Sequence, residues 1–264
     1  MLMRLLAVAL LAGLTAGTVT GAVQVFHLQP LILEAERYEG LAPTDHHDSA
    51  NHHHDDEEKI VVTPGVALSE AAPGQGEATP PPRETPSFQR VAFLVITSMI
   101  SGVAFALLLT AIYTLLAPRT TFTLDARTGA LWGLAGYAAF SLAPALGLPP
   151  ELPGMAAADL NLRQFWWVFT ALATATGLGA LVFGRAAHWG LTGTALLILP
   201  HLIGAPRPPA AEITVPPELI VDFITFSLST TGLFWLVLGI SFGFFYPRLV
   251  RDEDPGLVPA FRAN

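Results

Sequence analysis

The chain has 264 residues, of which 52% are hydrophobic and only 13% are Asp, Glu, Lys or Arg, and its mean hydropathy is +0.52. Soluble domains carry roughly 25% charged residues, so this composition indicates an integral membrane protein. The net charge of −8 argues against a nucleic-acid partner, whose phosphates require a basic surface, and the absence of cysteine excludes disulfides and thiolate metal sites.

Apolar stretches of about 17–25 residues, or more with tilt, can cross a bilayer. Six segments qualify, so the sequence predicts an all-α integral membrane protein with about six transmembrane helices. The fifth segment is the shortest and only Arg185 separates it from the fourth, so five spans with a re-entrant pair are the alternative. The predicted spans are residues 5–28, 91–117, 129–148, 165–184, 186–203 and 219–246.

Small residues recur at every fourth position of the first span, at Ala9, Gly13, Gly17 and Gly21. Such a face lets helix backbones approach closely in lipid, where packing replaces the hydrophobic effect as the driving force for association. Gly239 and Gly243 in the last span have the same spacing. Both patterns predict helix packing and carry no chemistry.

Between the first two spans, residues 29–89 contain 12 acids and 3 bases. Much of this segment is rich in Pro, Gly, Ala and Glu without an apolar period, which is typical of a flexible linker. We therefore predict a first transmembrane helix over 1–28, a long disordered, acidic and His-rich outer loop over 29–89, a five-helix membrane domain over 90–250 and a cytoplasmic tail over 251–264.

Positive residues indicate the orientation of the spans. With both termini inside, seven of the 13 basic residues lie on the cytoplasmic side. This predicts a multi-pass protein with both termini inside, and the loop at 29–89 then faces outward.

Imidazoles and carboxylates alternate in one stretch of that loop, which reads DHHDSANHHHDDEE. Together they suit borderline divalent metals such as Co, Ni, Zn and Cu(II). A flexible loop offers no fixed cage, so we expect reversible capture that weakens as pH falls through about 6.5 and the histidines protonate. The candidate metal ligands are Asp45, His46, His47, Asp48, His52, His53, His54, Asp55, Asp56, Glu57 and Glu58.

Ionisable groups in or next to membrane spans are costly and are by default functional candidates. In this chain several would lie at the same outer level and could line an entrance for a cation. Interfacial snorkelling and helix capping are the structural alternative. The candidate pathway residues are His27, Glu34, Glu36, Asp159, His201, Glu218 and Asp222.

Motifs for enzymatic chemistry are absent from the sequence, which has no GxxxxGK[ST], HExxH or GxSxG pattern. We therefore predict that the protein is not an enzyme and has no cofactor. Energy for transport would come from an ion gradient, the membrane potential or a separate partner.

Four blocks of the sequence carry a family resemblance. QPLILEAERYE (29–39), LAPALGLPPELPGMAAADLNLRQFWW (142–167), LPHLIGAPRP (199–208) and LFWLVLGISFG (233–243) closely resemble the CbtA-type predicted cobalt transporter subunits of bacteria. The resemblance implies a multi-span subunit of the bacterial cytoplasmic (inner) membrane that is linked to cobalt supply for cobalamin synthesis. It also implies a small, single-span, His-rich companion of the CbtB type, and five spans rather than six.

These observations predict a membrane subunit of a divalent-metal importer whose loop captures the metal and whose helix bundle forms the pathway. Cobalt is the favoured substrate, with Ni²⁺ and Zn²⁺ as the other candidates. The alternative is a membrane-anchored metal-binding accessory or sensor that transports nothing. The expected partners are the lipid bilayer and the CbtB-type subunit.

Overall fold

The computed structural model describes residues 1–39, 86–120, 123–209 and 215–250, and these are helical, with no strand among them. They form six helical rods that match the six predicted spans in order. The α-helices are α1 (Leu2–Val23), α2 (Gln29–Glu39), α3 (Phe88–Leu116), α4 (Ala126–Tyr137), α5 (Ala143–Ala145), α6 (Leu160–Phe183), α7 (Ala187–Ile203) and α8 (Pro217–Val250).

Four of these rods are long and apolar enough to cross a membrane by length and composition: Leu2–Tyr38, Phe88–Arg119, Leu160–Phe183 and Pro217–Val250. The rod formed by α4 and α5 is interrupted by a π-helical turn, and α7 has 17 residues. At 1.5 Å per residue α7 rises about 25 Å, slightly less than the roughly 30 Å of hydrocarbon. The shortest predicted span is therefore also the shortest rod that runs as one uninterrupted α-helix.

The first rod continues beyond Leu28, where the sequence prediction ends the span and begins the loop. A π-helical turn over Gln24–Leu28 joins α1 to α2 without a break. The extension is stabilised by burial, because Leu28 and Ala35 pack in one cluster with Leu152, Val215 and Phe223. The 11 residues of α2 thus belong to the bundle.

Two π-helical turns occur in the described chain, and each precedes a proline by the same distance. Gln24–Leu28 is followed by Pro30, and Ala138–Leu142 by Pro144. Proline has no amide hydrogen, and its ring clashes with the preceding turn. A wider turn just before the ring relieves that clash, so the helix continues through each proline.

Glycines set the contact between α1 and α3. A methyl group placed on Gly13 would lie 2.5 Å from Cα of Val103, and one on Gly17 would lie 2.5 Å from Cα of Met99. Real Cβ atoms essentially never approach within 3.0 Å. The buried residues of α1 include Ala9, Gly13, Gly17 and Gly21, so the predicted packing face is confirmed.

Close glycine contacts also join α4 to α8 and α6 to α7. A Cβ on Gly129 would lie 2.8 Å from Cα of Gly243, and one on Gly239 would lie 2.9 Å from Cα of Gly133. A Cβ on Gly177 of α6 would lie 2.9 Å from the carbonyl oxygen of Gly193 in α7. The packing role predicted for the two glycines of α8 is confirmed, and each of these helix pairs is antiparallel.

Aromatic rings fill the space that the glycine contacts leave at the centre of the bundle. Trp235 of α8 lies edge-on to Phe105 of α3, with ring centroids 5.0 Å apart, and stacks on Phe140 at 5.6 Å. Its indole Nε1 donates a hydrogen bond to Oγ of Ser141, 3.2 Å away. This residue therefore links α3, α8 and the π-helical turn that follows α4.

Because neighbouring rods alternate in direction, the connections fall at two ends. We call one the arginine end: it holds Met1, residues 117–120, 123–127 and 184–186, and Val250. Among the described residues its arginines are Arg4, Arg119, Arg127, Arg185 and Arg248, and Asp125 is the one acid there. The opposite, carboxylate end holds residues 27–39, 86–90, 146–163, 201–209 and 215–222.

Asp125 at the arginine end has a structural role, because it caps the N-terminus of α4. Its side chain accepts a hydrogen bond from the Thr128 amide, and Thr128 Oγ1 accepts one from the Asp125 amide, which forms a capping box. The hydrogen bond from the Thr128 backbone is the main reason that the pKa of the Asp125 carboxyl is lowered. This end is otherwise basic.

Candidate functional site

The predicted metal ligands of the acidic loop lie outside the described residues. All eleven fall between positions 40 and 85, a range that the structure does not describe. Their role in metal capture therefore stays a prediction. They are Asp45, His46, His47, Asp48, His52, His53, His54, Asp55, Asp56, Glu57 and Glu58.

The seven predicted pathway residues are all described, and all lie at the carboxylate end. Glu34 and Glu36 of α2 are ion-paired with arginines rather than facing histidines. Glu34 contacts Arg37 at 2.9 Å, and Glu36 pairs with Arg90 at the start of α3. The Glu36–Arg90 pair holds the ends of the first two rods together, whereas the Glu34–Arg37 pair lies within α2.

The remaining pathway candidates lie on different elements of this end. His27 stacks on Phe226 with ring centroids 5.7 Å apart, and His201 of α7 lies edge-on to Trp166 at 6.2 Å. Asp159 caps α6, because its Oδ1 accepts hydrogen bonds from two amides at 3.0 and 3.1 Å. Glu218 lies in the first turn of α8 and Asp222 one turn later, and both are exposed.

Within the described ranges, the structure brings no three His, Asp or Glu side chains together as a group that could hold a metal ion. The seven residues lie at the same end of the bundle, as predicted, but they are spread around it. Several already form ion pairs or a helix cap. The helix cap at Asp159 and the two arginine pairs account for three of the seven. A complete coordination shell therefore needs groups beyond these side chains.

A cavity opens at the carboxylate end between the rod formed by α4 and α5, the start of α6, and α8, and its largely apolar lining includes several polar side chains. Its volume is about 630 Å³. Glu151 and Arg163 line it as an ion pair with a 2.8 Å contact, and Gln164, Ser141 and Thr231 add polar side chains deeper in. Thr231 belongs to the middle third of α8, so the cavity reaches well into the bundle.

Glu151 is the functional candidate that sequence reasoning missed. It lies in the loop PPELPG between two spans, where a lone acid looks like ordinary loop polarity. Its partner Arg163 is twelve positions away, on the first turn of α6, and no short-range pattern links the two. Only the folding of the loop onto α6 places them in one cavity.

A second cavity of about 430 Å³ lies between α3, α4 and α6, toward the arginine end. Its lining is almost entirely apolar and includes Tyr113, Trp132 and Phe183. The lining of this cavity has no charged side chain that could bind a cation. Of these two cavities, a polar ion can enter only the one at the carboxylate end.

The chain folds into six helical rods that pack through close glycine contacts, and four of the rods are long and apolar enough to cross a membrane. These features define a multi-pass membrane protein. The chain belongs to the CbtA family, whose model is described as a probable cobalt transporter subunit and matches residues 2–247. As a subunit of a transporter, a member of this family works beside a partner chain. No curated protein matches the sequence, and no solved structure does either.

Proposed function

We propose that the chain is the membrane subunit of an importer for a divalent metal ion, with Co²⁺ as the favoured substrate and Ni²⁺ or Zn²⁺ as the other candidates. The observation that carries the proposal is the family match, which spans nearly all of the chain. The cavity at the carboxylate end supports it, because its polar side chains offer an ion contacts inside a bundle that is otherwise apolar.

The orientation follows from the two ends of the bundle. Among the described residues the arginine end holds five arginines and one acid, and at the carboxylate end Arg37, Arg90 and Arg163 each pair with a glutamate. Short cytoplasmic connections carry the excess of Lys and Arg. We therefore place both termini in the cytoplasm, the protein in the bacterial inner membrane, and the carboxylate end outside.

In this arrangement a metal ion meets the acidic loop first and then enters the cavity at the carboxylate end. The imidazoles and carboxylates of residues 45–58 raise the metal concentration at the outer surface, an effect that added salt weakens. An arriving cation then competes with Arg163 for the carboxylate of Glu151. The ion pair keeps the carboxylate satisfied in the absence of metal and releases it when a divalent charge arrives.

The partner that fits best is a small single-span His-rich subunit of the CbtB type. The support for it is the family resemblance together with the word subunit in the family description. A metal-binding accessory that transports nothing is the competing function. It shares the loop but has no need of a cavity that reaches into the bundle.

Deleting residues 45–58 tests the proposal. For an importer we expect uptake to fall mainly at low external metal, where capture limits the rate, and to persist at high external metal. A pure binding accessory would instead lose function at every concentration. The measurement is cobalt uptake as a function of external cobalt in cells that express the full chain or the deletion variant with its partner.

The matched control removes residues 63–76, a segment of equal length that contains no histidine and one acid. Because it shortens the loop by the same amount, it should leave the concentration dependence of uptake unchanged. Loss of uptake in both variants at low metal would mean that loop length, rather than its ligands, matters. That result would contradict the capture role.

A further inference from the structure

Two threonines in the middle of α6, like Thr20 of α1, have buried hydroxyls that make no hydrogen bond within the described part of the chain. Thr170 and Thr174 are 0% and 3% exposed, and neither hydroxyl has a hydrogen-bond partner among the described residues. Threonine in a membrane helix ordinarily donates to the carbonyl four residues earlier. That bond is made by Thr15, Thr110, Thr114, Thr176, Thr194, Thr225 and Thr231.

The face of α6 that carries these hydroxyls is the one that α7 covers. Residues 166, 170, 174 and 177 are spaced by four, four and three, which places them on one side of a helix. At one end of this row Trp166 contacts His201 of α7. At the other end a Cβ on Gly177 would lie 3.3 Å from Cβ of Leu196.

The opposing stretch of α7 contains a proline inside the helix. Pro200 is fully buried, and because proline has no amide hydrogen, the carbonyl of Leu196 lacks its usual helical donor. The antiparallel register between Gly177 and Gly193 brings Thr174 level with Leu196, and Thr170 level with Pro200. Two unpaired hydroxyls thus lie level with a carbonyl that the proline leaves short of a donor.

The row of polar groups continues toward the carboxylate end. The indole Nε1 of Trp166 is also buried without a partner among the described residues, and the ring of His201 lies next to it. Trp166 contacts the loop at this end, since a Cβ on Gly147 would lie 2.5 Å from its Cη2 atom. The row therefore runs from the end of the bundle to the middle of α6.

A buried polar group without a partner is costly, and hydrocarbon supplies no water to relieve it. Backbone groups that a proline frees inside a membrane helix are satisfied by neighbouring side chains, by ordered water or by a bound ion. The Trp166 N–H requires an acceptor, while the hydroxyls and the carbonyl offer oxygen lone pairs. A water molecule beside the cation accepts the hydrogen bond of the N–H, and the oxygen lone pairs bind the cation itself.

We propose that the interface between α6 and α7 is a binding site for a partly hydrated divalent cation. Oxygen ligands come from Thr170, Thr174 and the carbonyl of Leu196, and the neutral imidazole of His201 is the nitrogen ligand. The site has no carboxylate, so it binds weakly enough to release the ion, as conduction requires. This inference rests on the proposed function and names a step of the pathway within the membrane.

The native chain has no cysteine, so single cysteines report accessibility without background. Thr170→Cys and Thr174→Cys are made in the full chain and treated in right-side-out vesicles with a trimethylammonium methanethiosulfonate. Thr176→Cys is the matched control, since Thr176 is exposed on the same stretch of α6. A thiol reacts as the thiolate, which forms in water and not in lipid.

We expect the two buried positions to react at least about tenfold faster than the control, because only they meet water. Co²⁺ added beforehand should slow their modification. Reaction no faster than that of Thr176→Cys would overturn the proposal. Fast reaction that Co²⁺ does not slow would also overturn it, because the interface would then hold water without a cation site.

A second measurement tests the proposal if the cysteine variants do not fold. The double variant Thr170→Val and Thr174→Val keeps the side-chain shape and removes both hydroxyls, while Thr176→Val is its control. We expect cobalt uptake to fall at least about tenfold in the double variant alone, and unchanged uptake would overturn the proposal. Cobalt protection without any accumulation would instead uphold the site and refute the importer.

Discussion

Replacing Gly129 by leucine is expected to abolish the folded protein. A Cβ at this position would already lie 2.8 Å from Cα of Gly243, so a leucine must force α4 and α8 apart along their whole contact. Overpacking ordinarily costs about 1–3 kcal/mol, and a clash with backbone exceeds the upper figure. That corresponds to a fall of more than about a hundredfold in the folding equilibrium constant, and the loss of the native peak is measured by size-exclusion chromatography of detergent extracts.

Gly179→Leu is the matched control. Gly179 is also a helical glycine of the bundle, but a Cβ there has nothing within 4 Å, and leucine favours helix over glycine by up to about 1 kcal/mol. This variant should elute as the native protein does. Equal yields of the two variants would mean that α4 and α8 are not joined by close glycine contacts.

The second large effect is expected from His201→Phe. Phenylalanine preserves the aromatic contact with Trp166, whose ring centroid is 6.2 Å away, but it removes the metal-binding nitrogen. Because the proposed role of His201 is to bind the metal within the membrane, its loss should reduce cobalt uptake at least about tenfold at every external concentration. This pattern differs from the loop deletion, whose defect high external metal should overcome.

His188→Phe provides the control for that experiment. His188 is a histidine of the same helix, and it lies beside Trp189 near the arginine end, with ring centroids 5.2 Å apart. We expect unchanged uptake in this variant. If His201→Phe also transports normally while its elution profile is native, the imidazole is no ligand of the pathway.

Much of the fold can be predicted because a lipid environment imposes simple rules. Length and apolarity are enough to locate the six segments, and the glycines at every fourth position of α1 identify its contact face. The continuation of the first rod through Pro30 is harder to foresee. Its charged residues suggest a loop, whereas burial of Ala35 and the ion pairs of Glu34 and Glu36 keep it helical.

The candidate site is less accessible to sequence reasoning, since its groups come together only through tertiary contacts. Glu151 and Arg163 look like unrelated loop charges until the loop folds onto α6. The hydroxyl of Thr174 has no ionisable character, so a search for charges in spans passes over it. Its significance lies in the missing hydrogen bond, which only coordinates reveal.

The central claim is that metal crosses the membrane through this chain. Accumulation of radiolabelled cobalt in cells that express the chain with its partner subunit tests it most directly. The account predicts time-dependent, saturable uptake that survives washing with a membrane-impermeant chelator and is lost in His201→Phe. Label that the chelator removes completely would show binding at the surface without passage, and would contradict the account.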